Sequence, residues 1–202
     1  MNLNNIFLRL RRLNAGKLLT ILYRESQILK YRFLSNCRNV VGKPETNGGV
    51  LINGEGKVTF EGIVNLGVLQ SPYFFNTYIY LESRTKGSSI YISDGVWINN
   101  NVCIVSEGPG IFIGKNVLIG QNCSIYDSDF HNLNAALRKT GNPSMGRVSI
   151  QENVFIGAGV TILKNVSIGA NSVIAAGSIV TKNIPSNVIA GGNPCVILRN
   201  LE

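Results

Sequence analysis

The sequence predicts a mainly β chain: a parallel β-helix of hexapeptide repeats with an N-terminal helical segment and one protruding loop. Three observations predict it. Ile150, Ile156, Ile162, Ile168, Ile174 and Val180 recur at every sixth position. Four residues after each isoleucine stands a small or β-branched residue, namely Val154, Val160, Val166, Ser172 and Ser178. Turn formers keep the same phase, with Asn153, Asn165 and Asn171 three after an isoleucine and Gly157 and Gly169 one after. A period of six fits neither a helix face of 3.6 residues nor a strand alternating in twos. It fits a coil in which each hexad is one short strand and a tight turn. The branched residue at the head of each hexad points inward onto its copy one coil away. Asn and Gly tolerate the left-handed backbone that the turns need.

Taken in order, residues 1–45 read as the helical segment, 46–185 as the β-helix and 186–202 as a tail. Helices are expected over 2–14 and 17–35, broken near Asn14–Gly16. Ile6, Leu10 and Leu13 share a face of the first; Leu18, Leu22, Leu29 and Phe33 share a face of the second. Residues 1–38 carry Arg9, Arg11, Arg12, Lys17, Arg24, Lys30, Arg32 and Arg38 against Glu25 alone, which is 8 − 1 = +7 of the net +8. Two compatible readings follow. The segment caps the open end of the solenoid, or it lies on an anionic membrane surface, at about 1 kcal/mol per basic residue near it.

The repeat begins at Val50, with Ile52, Val58 and Val64 six apart. Ser71–Gly87 loses the phase and is rich in aromatics, which suits a larger coil, a strand pair or a loop against the helices. Phase returns at Ile92, Ile98 and Ile104, slips through Ser106–Gly110, and resumes at Ile113, Ile119 and Ile125. The insertion 127–147 interrupts it again before the strict block. A long excursion in so regular a solenoid points to function. Beyond Lys182 the pattern stops at the turn Gly191-Gly192-Asn193-Pro194.

Composition narrows the class. A chain of 202 residues allows one domain or slightly more, and 45% hydrophobic residues exclude disorder as the default. Cys37, Cys103, Cys123 and Cys195 show no paired spacing, so a reducing compartment is the simpler reading. No apolar run has the length of a transmembrane helix, and charges interrupt the N-terminus as they would not in a secretory signal. The expected location is cytoplasmic, at most peripheral at the inner face of the membrane. No nucleic-acid partner is expected.

The insertion holds His131, the one histidine in the chain. With no second histidine, no CxxC and no HExxH, no histidine-based metal site is expected. No G-x-S-x-G, Walker A or dinucleotide glycine pattern occurs either. An imidazole exchanges protons near neutral pH, so His131 is the candidate general base of an enzyme; otherwise it is a surface residue of a loop.

The block from Ile92 to Arg199, and above all the string IAAGSIVTKNIPSNVIAGGNPC, resembles the hexapeptide-repeat acetyltransferases, in the branch of galactoside, maltose and polysaccharide O-acetyltransferases. The resemblance implies a left-handed coil of three hexads, a homotrimer, and acetyl-CoA in the groove between neighbouring helices. It implies His131 as catalytic base, with Asp127 or Asp129 either orienting it or simply forming the turn. The backbone N–H of Ala158 takes the oxyanion position. Asn99 matches a residue that contacts the acceptor, with Asn100 or Asn101 as the alternative after the phase slip. Phe155, Ala158, Ala176, Thr181, Lys182 and Arg199 match the acetyl-CoA site, where Lys182 suits a phosphate and is otherwise a solvated charge. Val196 departs from the basic residue common after the Asn-Pro turn. The N-terminal forty residues do not resemble those of the galactoside and maltose enzymes. The implied function is therefore O-acetylation of a saccharide, expected to be a surface polysaccharide (capsule or O-antigen) or its precursor. The alternatives are an N-acyltransferase acting on an amino-sugar nucleotide and a non-catalytic scaffold.

Overall fold

The computed structural model describes residues 15–201, and the helix expected over 2–14 lies outside them. Helix α1 (Ala15–Leu34) is followed by a left-handed parallel β-helix with three flat faces. The first face stacks Asn39–Val41, Lys57–Phe60, Ser89–Ile92, Ile111–Ile113, Val148–Ile150 and Ser167–Ile168. The second runs from Glu45–Thr46 through Asn65–Leu66, Trp97–Ile98, Leu118–Ile119, Phe155–Ile156 and Val173–Ile174 to Val188–Gly191. The third contains Val50–Asn53, Ile79–Ser83, Cys103–Ser106, Ser124–Tyr126, Thr161–Ile162 and Ile179–Val180.

Hexad phase becomes packing directly. Ile150 pairs with Ile113 and Ile168, Ile156 with Ile119 and Ile174, and Ile162 with Ile125 and Val180. All of these are buried, so each face sends one column of branched side chains down the axis. Val154, Val160 and Val166 fill the corners between columns, as do Ser172 and Ser178. Both serines are satisfied: Ser172 Oγ donates to Pro185 O and Ser178 Oγ to Ala175 O. Cys123 takes a similar corner, where burial pushes its thiol up to about 11.

The turns follow the expectation for Asn. Asn153, Asn165 and Asn171 all have positive φ, as do Asn101, Asn116, Asn122 and Asn187. At the edge between the first and second faces their amides form a ladder, Asn116 to Asn153 to Asn171 to Asn187, with bonds of 3.3, 3.2 and 2.8 Å. Replacing Asn171 by Ala puts a side chain without this tolerance at φ 62° and removes two ladder bonds. The expected cost is about 1–2 kcal/mol in urea unfolding, with a smaller loss for Asn171→Gly, which keeps the backbone conformation.

Three features depart from the sequence reading or resolve it. The ladder starts at Asn39 rather than at residue 46, because Asn39–Val41 pairs with Lys57–Thr59. It also runs past 185, where Val188–Gly191 joins the second face and Val196–Asn200 pairs with it antiparallel. Ser71–Gly87 proves to be a larger coil: a turn over Tyr73–Asn76, then Ile79–Ser83 in register with the third face.

Helix α1 packs beside the first coil, next to Val50–Asn53. It lies on the rim, where Tyr23 meets Phe74 and Phe75, Tyr31 stacks on Tyr78 at 4.6 Å, and Ser35 Oγ accepts from Ile52 N. None of its residues is buried. Tyrosines rather than leucines face the coil, because the rim offers aromatic rings and backbone carbonyls. No helix among the described residues is long and apolar enough to cross a membrane.

Candidate functional site

The insertion leaves the β-helix at the edge between the third and first faces, and a buried carboxylate holds its base. Asp127 accepts from Ser106 Oγ at 2.7 Å and from the N–H groups of Glu107 at 2.7 Å and Gly110 at 2.9 Å, with Gly108 N–H shared between its oxygens. These donors come from Ser106–Gly110, the corner one coil earlier, where the hexad phase slipped. A fully buried carboxylate needs donors on both oxygens, and this corner supplies them. Asp127, expected as one of two residues to orient His131, is therefore an anchor for two loops. No hydrogen bond links it to the imidazole.

Above this anchor the loop closes on itself. Gly146 N–H donates to Asp127 O, Asp129 N–H to Ser144 O, and Ser128 Oγ to Glu107 Oε2 at 2.6 Å. Phe130, at φ 60°, sets its ring edge-on to Tyr126, with the Arg84 guanidinium 4.7 Å from the ring centroid. Arg84 is held by Glu82: burial pulls that carboxyl upward, but bonds from Arg84 and Tyr80 outweigh it and keep it below its usual value. Asp129 pairs with Lys164 of the next coil at 3.0 Å through one oxygen, and its other oxygen is buried without a partner among the described residues. His131 follows at the mouth of the loop, exposed and without a hydrogen bond among the described residues. Beside it lies a cavity of about 550 Å³ lined by Ala135, Ala136, Arg138, Lys139 and Thr140.

A second group of expected site residues lies on a different edge, between the second and third faces. Here Asn99, Gly120, Gly157–Ala158 and Ala175–Ala176 succeed one another coil by coil. Gly120 and Gly157 allow close stacking: a Cβ at Gly120 would fall 2.7 Å from Ala158 N, and one at Gly157 2.6 Å from Ala176 N. Around Gly177 an added Cβ would meet nothing within 4 Å. The result is a low, open strip of backbone. Within it the Ala158 N–H meets no acceptor among the described residues, although its carbonyl accepts from Gly177 N.

Among the three asparagines, hydrogen bonding decides which is available. Asn100 is buried, with its amide bonded to the carbonyls of Val68, Ser71 and Pro72 and the N–H of Val68. Asn101 is a positive-φ turn residue whose amide donates to Asn122. Asn99 keeps its NH₂ group open among the described residues, its carbonyl oxygen accepting from Asn100 N. Asn101 is thus a turn residue in this chain.

Thr181 and Lys182 are exposed just past Ile179–Val180, on the edge that carries the insertion, and Arg199 is exposed on the outermost strand of the second face. Phe155 stands outward on the second face between Leu118 and Val173. The structure therefore groups His131, Asp129, Thr181 and Lys182 on one edge, and Asn99, Ala158 and Ala176 on another. Sequence reasoning missed Gly120, Lys164 and Arg84. The repeated Ile-Gly dipeptides at 119–120 and 156–157 could have marked the strip; nothing local marks a lysine 35 positions from its carboxylate partner.

Residues 147–182 match the family described as bacterial transferase hexapeptide (six repeats). A galactoside O-acetyltransferase of Lactococcus lactis is 44% identical over 134 residues, covering 66% of this chain and 60% of its own length. A galactoside O-acetyltransferase of Escherichia coli is 41% identical over 116 residues, covering 57% of this chain and 56% of its own. The chain thus spans less than two thirds of either relative. A hexapeptide-repeat acetyltransferase of Vibrio cholerae, solved with acetyl coenzyme A, is 27% identical with a TM-score of 0.55, covering 93% of this chain and 85% of that one.

Proposed function

Since the chain belongs to the hexapeptide-repeat acetyltransferase family, we propose that it transfers the acetyl group of acetyl-CoA to a hydroxyl of a saccharide, with His131 as general base. The observation that carries this reading is the unpaired Ala158 N–H on a glycine-lined strip. A slender thioester chain can lie against such a strip, with its carbonyl oxygen on a donor that is already oriented. His131 takes the proton from the acceptor hydroxyl as that oxygen bonds to the thioester carbon. Charge moves to the carbonyl oxygen, which the Ala158 N–H stabilises. Collapse of the tetrahedral adduct breaks the C–S bond, and the imidazolium returns its proton to the CoA thiolate. No acyl-enzyme is required, because the donor is already activated. Asn99 contributes its open NH₂ to the acceptor.

The two halves of this site stand on different edges of one chain. We therefore assign the site to the interface of a homotrimer, with the base from one protomer and the strip from its neighbour. An outward stripe of Trp97, Leu118 and Phe155, each about half exposed, supports self-association. Arg138 and Lys139 beside the imidazole favour an anionic acceptor, in keeping with a surface polysaccharide such as capsule or O-antigen or its precursor. The test offers acetyl-CoA with sialylated or uronic-acid glycans, neutral glycans and amino-sugar nucleotides, and measures free CoA. Release is expected with anionic glycans above the acceptor-free rate. Release only with amino-sugar nucleotides transfers the reading to an N-acyltransferase, and no acetyl-CoA binding at all leaves a scaffold.

A further inference from the structure

The helix face that the sequence marks as apolar is left open by the described residues. Leu18, Leu22, Leu29 and Phe33 share one side of α1 and are all exposed, Phe33 at 85%. Leu19 and Leu34 widen the stripe. The opposite side, through Tyr23 and Tyr31, is what rests on the coil. Lys30 and Arg32, both exposed, flank this stripe on its two sides, and Arg38 follows just after the helix. Arg24 lies on the coil side and reaches Glu25, which stands between Leu22 and Leu29 and is the one acid before residue 39. In the sequence Arg9, Arg11 and Arg12 come immediately before.

We propose that this face of α1 docks on an anionic lipid bilayer, with Leu18, Leu22, Leu29 and Phe33 in the acyl boundary and the surrounding cations on lipid phosphates. An exposed apolar stripe with basic flanks is the pattern of a helix that lies in the interface plane rather than across it. Charge argues against a second copy as the occupant. Two such faces brought together oppose cation to cation, and residues 39–202, with eleven basic and ten acidic side chains, hold no acidic excess to receive one. The body of the β-helix then projects from the membrane with its end nearest α1 against the lipid. The proposal does not depend on the acetyl-transfer reading, because its measurement is binding.

The test sediments the full chain with phosphatidylcholine vesicles, with and without phosphatidylglycerol. Wild type is expected to pellet with the anionic vesicles, less with the neutral ones, and less again at high salt. Leu22→Gln combined with Phe33→Ser should lower binding at least tenfold, with far-UV circular dichroism and the mass by light scattering unchanged. Equal recovery with neutral and anionic vesicles, or none with either, overturns the proposal. It is also overturned if the double variant loses mass rather than lipid affinity, since a second protomer then covers the stripe. Should the double variant fail to fold, Lys30→Gln with Arg32→Gln leaves the stripe intact, and unchanged binding to anionic vesicles then overturns it.

Discussion

His131→Ala is expected to lower the rate of acetyl transfer to the acceptor by about 10²–10⁴-fold, the usual contribution of a positioned general base. Binding of acetyl-CoA should change little, because the donor is held by the neighbouring protomer's strip at Ala158 and Ala176, while the imidazole acts on the acceptor hydroxyl. Stability should not change, since the imidazole is exposed and makes no hydrogen bond among the described residues. CoA release with and without acceptor, beside calorimetric titration with acetyl-CoA, separates these outcomes. Equal rates for wild type and variant remove His131 from the mechanism. Asp129→Asn is the companion variant. One oxygen of Asp129 is buried and unpaired two residues from His131, which makes Asp129 the better placed of the two candidate orienting carboxylates. A loss in rate smaller than that of His131→Ala is expected from it.

Asp127→Ala carries the largest expected cost in stability. Its carboxylate is fully buried and satisfies a hydroxyl and three backbone N–H groups. Removal leaves those donors facing a cavity that cannot hydrate all of them. A loss of about 3–5 kcal/mol is expected in denaturant unfolding. Asp127→Asn keeps the shape and one acceptor oxygen, so it should lose less. Both variants should also free the insertion at its base, read as faster proteolysis between residues 128 and 146. A stability change below about 1 kcal/mol for Asp127→Ala, the range of a surface pair, would mean that Ser106–Gly110 holds without this anchor.

These two residues show where sequence reading succeeds and where it stops. Asp127 and Asp129 are two positions apart in a polar, turn-like segment and look interchangeable as partners for His131. What separates them is direction. Asp127 still belongs to the third-face strand register and points inward, toward a corner one coil earlier. Asp129 lies past the exit and meets Lys164 one coil later. Neither partner is local, and no spacing rule reaches them. The three asparagines at 99–101 behave alike: consecutive and identical in type, they are distinguished only by Val68–Pro72 and Asn122, which the coil brings alongside. For α1, periodicity identified Leu18, Leu22, Leu29 and Phe33 as one face but left open whether the coil or a membrane surface receives it. A hydrophobic stripe shows that a helix has a side to bury, not which surface receives it.

Sequence alone determined the six-residue repeat, its inward column of isoleucines, the positive-φ asparagine turns and the place where the coil is interrupted. Each of these depends on contacts between residues at a fixed repeat distance, so the period itself encodes them. Tertiary structure alone decided that the imidazole and the open Ala158 N–H occupy different edges, that Asp127 is an anchor, and that the leucine stripe of α1 faces outward. Those outcomes depend on which coil lies above or below a given residue and which edge it turns, and a six-residue period is blind to both.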